Sequence, residues 1–374
     1  MRVVFTEGRR GTAAAWTLVA LLAVVLPGCA SRHYFPRESV LPDDPVLPFR
    51  TCGDYFLADV DVDGVPMTVI LDTGAMGLHL DHEAAARHHA RTGDHHVDRL
   101  RFGDFEARNF DYHRLDFSSI SAAFGVGVDG VLGYQVFAGG LLVIDYPAHE
   151  VRLERGRLGF GDPQTVRYEV DRRGAPFVTF SLGRLSGPML LDVGSRGGVQ
   201  LTTFEGVEFE SEPRRASRSV RAREAYEELM GRASGDAKWG PLTLRDPILG
   251  LGPPPAQIGQ EVLRHYVVTF DQPRRLVRLE GPDLIEMPSR VGSGISYDLG
   301  SDAWTVLGFF DVDLDPGLDI RPGDEVVAID GSSIGELGCG KFTRRAEGVG
   351  SVTLTLRRDG RTHDVTVPLQ VLVE

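Results

Sequence analysis

The chain, 374 residues long, lacks a cysteine framework. Its three cysteines are Cys29, Cys52 and Cys339. Two residues as far apart as Cys52 and Cys339 make either one bridge or two buried thiols, not a disulfide scaffold. It also lacks a concentrated basic face. Acidic residues outnumber basic ones by 53 to 40, the formal net charge is −13, and the basic residues are scattered, which argues against nucleic acid as a partner. There is no phosphate-binding loop and no Gly-x-Ser-x-Gly elbow. His82-Glu83 meets alanine at position 86, so the spacing of a helical zinc peptidase is missing, and Asp61 and Asp63 lack the spacing of a calcium loop. No metal and no cofactor are expected. Aromatic residues are modest at 8%, whereas glycine is abundant at 45 residues. That balance points to many tight turns between short strands, in a mainly β chain long enough for two or three domains.

What the chain does contain is an apolar strand ending in an acid. Val69-Ile70-Leu71 runs straight into Asp72-Thr73-Gly74. A carboxylate at the end of a buried strand is unfavourable unless it is hydrogen-bonded, paired or used. The arrangement returns as Met189-Leu190-Leu191-Asp192-Val193-Gly194-Ser195. Other landmarks repeat in the same order. Asp129-Gly130-Val131-Leu132-Gly133 precedes Leu142-Val143-Ile144-Asp145, and Gln257-Ile258-Gly259 precedes Val267-Val268-Thr269-Phe270-Asp271. Gly133 to Gly259 and Asp145 to Asp271 are both 126 residues, and Asp72 to Asp192 is 120. The chain therefore reads as two copies of one β unit of about 110 residues. A charged insertion between Glu205 and Lys238, with helical character over Ala222 to Gly231, accounts for the longer later offset; a solvated surface excursion is expected there.

The strand reading is local. Phe56 to Val62 alternates at period two, Asp63-Gly64 is a hairpin signal, and residues 81–90 suit a short helix. Six of the eleven histidines fall between His79 and His96 (His79, His82, His88, His89, His95 and His96). Without ligand spacing, solvated helix and loop histidines are expected rather than a metal site. The last 80-odd residues form a further unit: Ile295-Ser296-Tyr297 is strand-like, Arg321-Pro322-Gly323-Asp324 leads into Val326 to Ile329, and Ser351 to Gly360 is a strand and turn.

The N-terminus reads as an export signal. Arg9 and Arg10 precede an apolar run from Ala13 to Leu26, which is short for a membrane span. Leu26-Pro27-Gly28-Cys29 resembles a bacterial lipoprotein processing box, with Pro27 departing from the usual small or branched residue. The resemblance implies a lipid on Cys29. Ala30 and Ser31 are not acidic, which in such lipoproteins implies anchoring to the outer membrane from the periplasm. A plain secretory signal and an uncleaved anchor are the alternatives. Residues 30–48, with Pro36, Pro42, Pro45 and Pro48, suit an extended tether.

The Asp-Thr-Gly strand end, the later apolar-apolar-Gly element and the duplication together resemble the two-lobed pepsin and retroviral-type aspartic peptidases, over residues 50–285. The tail resembles a bacterial PDZ domain through Arg321 to Asp324 and Ile329 to Gly331. These resemblances imply lobes at 49–165 and 166–287 and a PDZ domain at 288–374, after a signal peptide at 1–29 and a tether at 30–48. They imply a catalytic pair, Asp72 and Asp192, supported by Thr73, Gly74, Gly194 and Ser195, with Gly133 and Gly259 where the chain crosses beneath each motif. Val193 departs from the pattern, which has a second threonine there. Its missing hydroxyl amounts to roughly 1–3 kcal/mol if the partner group is left unsatisfied. Ser195 is expected to bond the Asp192 carboxylate. Residues 97–115 are the candidate covering hairpin, with Tyr112 either over the acids or in the core. Gly292, Ser293, Gly294 and Ile295 are the candidate loop for a peptide C-terminus. The implied protein is an exported monomeric endopeptidase acting on polypeptides. A non-catalytic polypeptide-binding scaffold is the alternative from another class, and self-processing alone is a third.

Overall fold

Residues 33–220, 225–312, 314–341 and 350–374 are described by a computed structural model of the chain. Cys29 and the signal-like segment lie outside the described residues. The chain is mainly β, and the described strands form five sheets.

The first half grows from one hairpin. Tyr55–Val62 and Val65–Asp72 pair antiparallel around Asp63 and Gly64, both at positive φ (52° and 82°), as a tight two-residue hairpin requires. Period two sends Phe56, Ala58, Val60, Met67, Val69 and Leu71 into the main core. Leu57 and Ile70 point the other way, into a second cluster with Phe117 and Phe124 of the α2 region (α1 is His82–Thr92; α2 is Ser118–Phe124). Strand Val65–Asp72 then pairs in parallel with Gly130–Gly133, and that strand pairs antiparallel with Leu78–Asp81. The second half does the same. Leu185–Leu191 runs parallel to Gln257–Ile258, which is antiparallel to Val199–Leu201.

The halves share a six-stranded sheet whose two central strands are Leu141–Asp145 and Val267–Asp271. Their register sets Val143 opposite Thr269. Those two residues are 126 apart, the spacing of the sequence repeat, so a two-fold pseudo-axis passes through that pair. One apolar cluster runs through both halves, from Leu47 to Met287. A separate core, Ile295 to Val367, belongs to the third unit.

Three expectations change. Ala225–Arg232 is a strand paired with Arg214–Val220, not a helix. Cross-strand pairing, with Arg218 opposite Glu227, overrides the helix preference of Ala and Glu. This hairpin is also no solvated excursion. Its Ala216 and Met230 are buried with Leu372 and Val373, and Arg215 holds Asp311 through its main-chain N–H at 2.9 Å and its guanidinium at 2.8 Å. Part of the tether joins the fold: Glu38–Val40 pairs with the strand Phe105–Leu115, and Val46–Leu47 with Glu150–Glu154.

Cys52 and Cys339 form a disulfide, so the first of the two sequence alternatives holds. It ties the turn before Tyr55 to α4 (Ile334–Lys341) of the third unit across 287 residues. A loop of that size contributes up to about 5 kcal/mol by chain entropy. Reductant, or the double change Cys52→Ser and Cys339→Ser, is therefore expected to lower the thermal midpoint of the chain; an unchanged midpoint contradicts this.

Candidate functional site

The two halves bring their strand ends together at the pseudo-axis. Asp72 closes Val65–Asp72, Asp192 follows Leu185–Leu191, and the two carboxyls are hydrogen-bonded to each other. Each sits against the other's loop. A Cβ on Gly194 would stand 2.6 and 2.7 Å from the Asp72 oxygens, and one on Gly74 would stand 3.2 Å from Asp192 Oδ2. Glycine is required at 194 for the acids to meet. The local bonding repeats in both loops. Gly74 N–H donates to Asp72 Oδ1 at 2.6 Å and Gly194 N–H to Asp192 Oδ1 at 2.9 Å. Ala75 N–H donates to the Asp72 carbonyl at 3.4 Å and Ser195 N–H to that of Asp192 at 3.3 Å.

Thr73 links the halves. It is fully buried, its hydroxyl donates to the Leu191 carbonyl, and it accepts from Val193 N–H at 3.0 Å. Val193 is buried beside it and has no hydroxyl to return the bond. Gly133 and Gly259 each lie against one of the two loops. Gly133 N–H donates to Gly77 at 2.6 Å and Gly259 N–H to Gly198 at 2.9 Å. A Cβ on Gly133 would meet the Ala75 carbonyl at 2.6 Å, and one on Gly259 the Ser195 carbonyl at 2.5 Å. The Ser195 hydroxyl accepts from Gln257 Nε2 at 2.8 Å.

Burial pushes the Asp72 carboxyl above the usual aspartate range, while the Gly74 N–H, Asp192 and the Ala75 N–H, with the charge of Arg173, pull it back. Around the pair stand residues with no signature in the sequence. Tyr146 is buried, its ring 5.3 Å from Phe56, and its hydroxyl has no hydrogen-bond partner among the described residues. Burial raises its pKa, and Asp54, Asp192, Tyr55 and Asp72 add to the effect. The Tyr55 hydroxyl is raised by burial too, with Arg196 opposing and both acids of the pair reinforcing. Its ring packs on Phe124 at 4.5 Å. Arg196 keeps a solvent-exposed face, yet the protein around its guanidinium strips enough water to draw its pKa down. The site is thus a pair of acids flanked by two tyrosines and a cation.

Other candidate residues lie elsewhere. The hairpin of His96–Phe102 and Phe105–Leu115 does not cover the acids. Phe102 and Phe105 are core, and Tyr112 is buried with its hydroxyl on His95 Nδ1 (3.0 Å) and facing the Ala85 carbonyl (3.4 Å). Of the histidines, His88 is wholly buried rather than solvated, 2.9 Å from Asp63 Oδ2. Gly292, Ser293, Gly294 and Ile295 belong to the third unit, away from the acids. Gly292 lies in a strand paired with Gln370–Val373, Ile295 N–H donates to Ser293 Oγ at 3.4 Å, and the Gly294 carbonyl accepts from Phe310 N–H at 2.8 Å. The chain matches no protein-family model and no curated protein.

Because the Asp72 pKa is raised in the fold, the folded state holds a proton that the unfolded chain releases. Stability attached to this group is then present at low pH and lost as pH climbs from the ordinary carboxylate value through the raised one. Asp72→Asn is expected to raise the thermal midpoint at neutral pH relative to the parent and to give less advantage near pH 3. Equal shifts at both pH values contradict the assignment.

Proposed function

We propose that the chain is an aspartic-type endopeptidase, with Asp72 and Asp192 as its acid–base pair. The observation that carries this is the hydrogen bond between two carboxyls delivered by duplicated strand ends. Two acids in such contact do not both ionise cheaply, so the pair keeps one proton at moderate pH. The proton belongs to the pair, one carboxyl holding it while the other is ionised. The ionised carboxyl takes a proton from a water molecule as its oxygen attacks the peptide carbonyl carbon. The protonated carboxyl donates its proton to the carbonyl oxygen. The resulting gem-diol collapses with cleavage of the C–N bond, the nitrogen leaving with a proton supplied by the pair. No covalent intermediate is required.

The rest of the proposal is wider. The Cys52–Cys339 disulfide suits an oxidising compartment, in keeping with export and lipid anchoring at Cys29. The third unit is proposed to bind or present peptide ends, as its resemblance to PDZ domains implies. Val193 is the one observation that favours the scaffold reading, in which the same cleft holds polypeptides without cutting them.

Digestion of casein and of a peptide library from acid to neutral pH separates the two. The endopeptidase reading predicts cleavage that falls by at least about 100-fold in both Asp72→Asn and Asp192→Asn. Binding without cleavage in the parent supports the scaffold instead.

A further inference from the structure

The second loop has no grip hydroxyl at Val193, yet the Gly194 N–H still reaches Asp192 Oδ1 at 2.9 Å, as the Gly74 N–H reaches Asp72 Oδ1 at 2.6 Å. What compensates lies beneath it. Gln260, at the start of α3 (Gln260–Leu263), is wholly buried, and its Nε2 donates to the Val193 carbonyl at 2.6 Å. Its main-chain N–H donates to the Ser195 carbonyl at 2.8 Å. Its Oε1 has no partner among the described residues. A buried amide with half its bonding capacity unused is unfavourable, so its presence calls for a reason.

The repeat supplies one. Gly133 matches Gly259, so Tyr134 is the residue that matches Gln260. Tyr134 turns away from the loop above it and donates through its hydroxyl to the Gly174 carbonyl at 2.9 Å. The half that keeps threonine also has a buried glutamine under its loop, Gln135, but that amide accepts from Gly77 N–H at 3.3 Å and donates to the Arg173 carbonyl at 3.4 Å. In the half that carries valine the amide instead donates to the Val193 carbonyl, and Gln257 adds a second bond, to the Ser195 hydroxyl.

We infer that Gln260 is a positioning residue for Asp192, an amide strut from below that takes the place of the threonine hydroxyl missing at Val193. This rests on the endopeptidase reading for its consequence in catalysis, but not for its geometry. The strut fixes the carbonyl of Val193, hence the peptide plane that carries the Gly194 N–H onto Asp192 Oδ1.

The test uses the full chain and three variants. Gln260→Met keeps length and volume but removes the donor. It is expected to lower kcat about tenfold or more while KM stays within about twofold, and to speed amide exchange over residues 192–196. Val193→Thr placed in the Gln260→Met background restores the grip, and most of the lost kcat and protection should return. Gln260→Glu should work best at acidic pH, where a protonated carboxyl can still donate to the Val193 carbonyl, and decline relative to the parent as pH rises. The variants' thermal midpoints identify any that are simply misfolded, and the Val193→Thr rescue and the Gln260→Glu pH trend carry the test in that event. If the parent cleaves nothing but exchange over 192–196 still rises in Gln260→Met and is rescued, the endopeptidase reading falls and the strut stands. Unchanged kcat and unchanged exchange in Gln260→Met, or faster exchange with undiminished kcat, overturns the inference.

Discussion

Two carboxyl groups in hydrogen-bond contact inside a protein are the constraint on which the rest of this structure depends. Left ionised, they repel at close range in surroundings that screen charge poorly; with one proton between them, the contact becomes a bond. Everything that positions the pair is a way of holding two strand ends at that separation. The central sheet sets the halves in register through Val143 and Thr269. Glycine at 194 leaves room for the opposing oxygens, and the loop amides satisfy each carboxylate from its own side. Thr73 then ties one loop to the other.

The symmetry is broken in a way that matters chemically. The first loop contributes the bridging hydroxyl and the second receives it. The second loop is braced from below by Gln260, on the Val193 carbonyl, and by Gln257; the first is braced by Gln135, on the Gly77 N–H, and by backbone contacts around Gly133. Tyr55, Tyr146 and Arg196 surround the acids with mixed polar groups, and Cys52, three residues before Tyr55, is bonded to Cys339 of α4. The surroundings of the acids are thereby covalently joined to the third unit.

Much of the fold was legible in the residues. Period-two runs marked the strands, the Asp63-Gly64 dipeptide marked the hairpin, and the 126-residue spacing of the later landmarks is the spacing of the pair on the pseudo-axis. The acids were legible because a charge at the end of an apolar strand is anomalous. Other features left no local trace. Nothing around Cys52 or Cys339 encodes their pairing, which depends on how the third unit docks. Ala225 to Arg232 carries helix-forming residues and becomes a strand because a partner strand and a neighbouring sheet offer more burial. Tyr112 read equally as cover or core, and only the packing of α1 decides for core. Tyr146 and Arg196 are single residues without spacing to betray them. Gln260 could have been found, by aligning the repeats and asking why tyrosine in one becomes glutamine in the other.

The central claim is that Asp72 and Asp192 hold one proton between them. Its most direct measurement is the pH titration of both side-chain carboxyls by carbon-13 resonance in the intact chain, each signal assigned with the corresponding asparagine variant. The account predicts two separated steps, one below and one above the ordinary aspartate value of about 3.9. Two carboxyls titrating together near that ordinary value would contradict it.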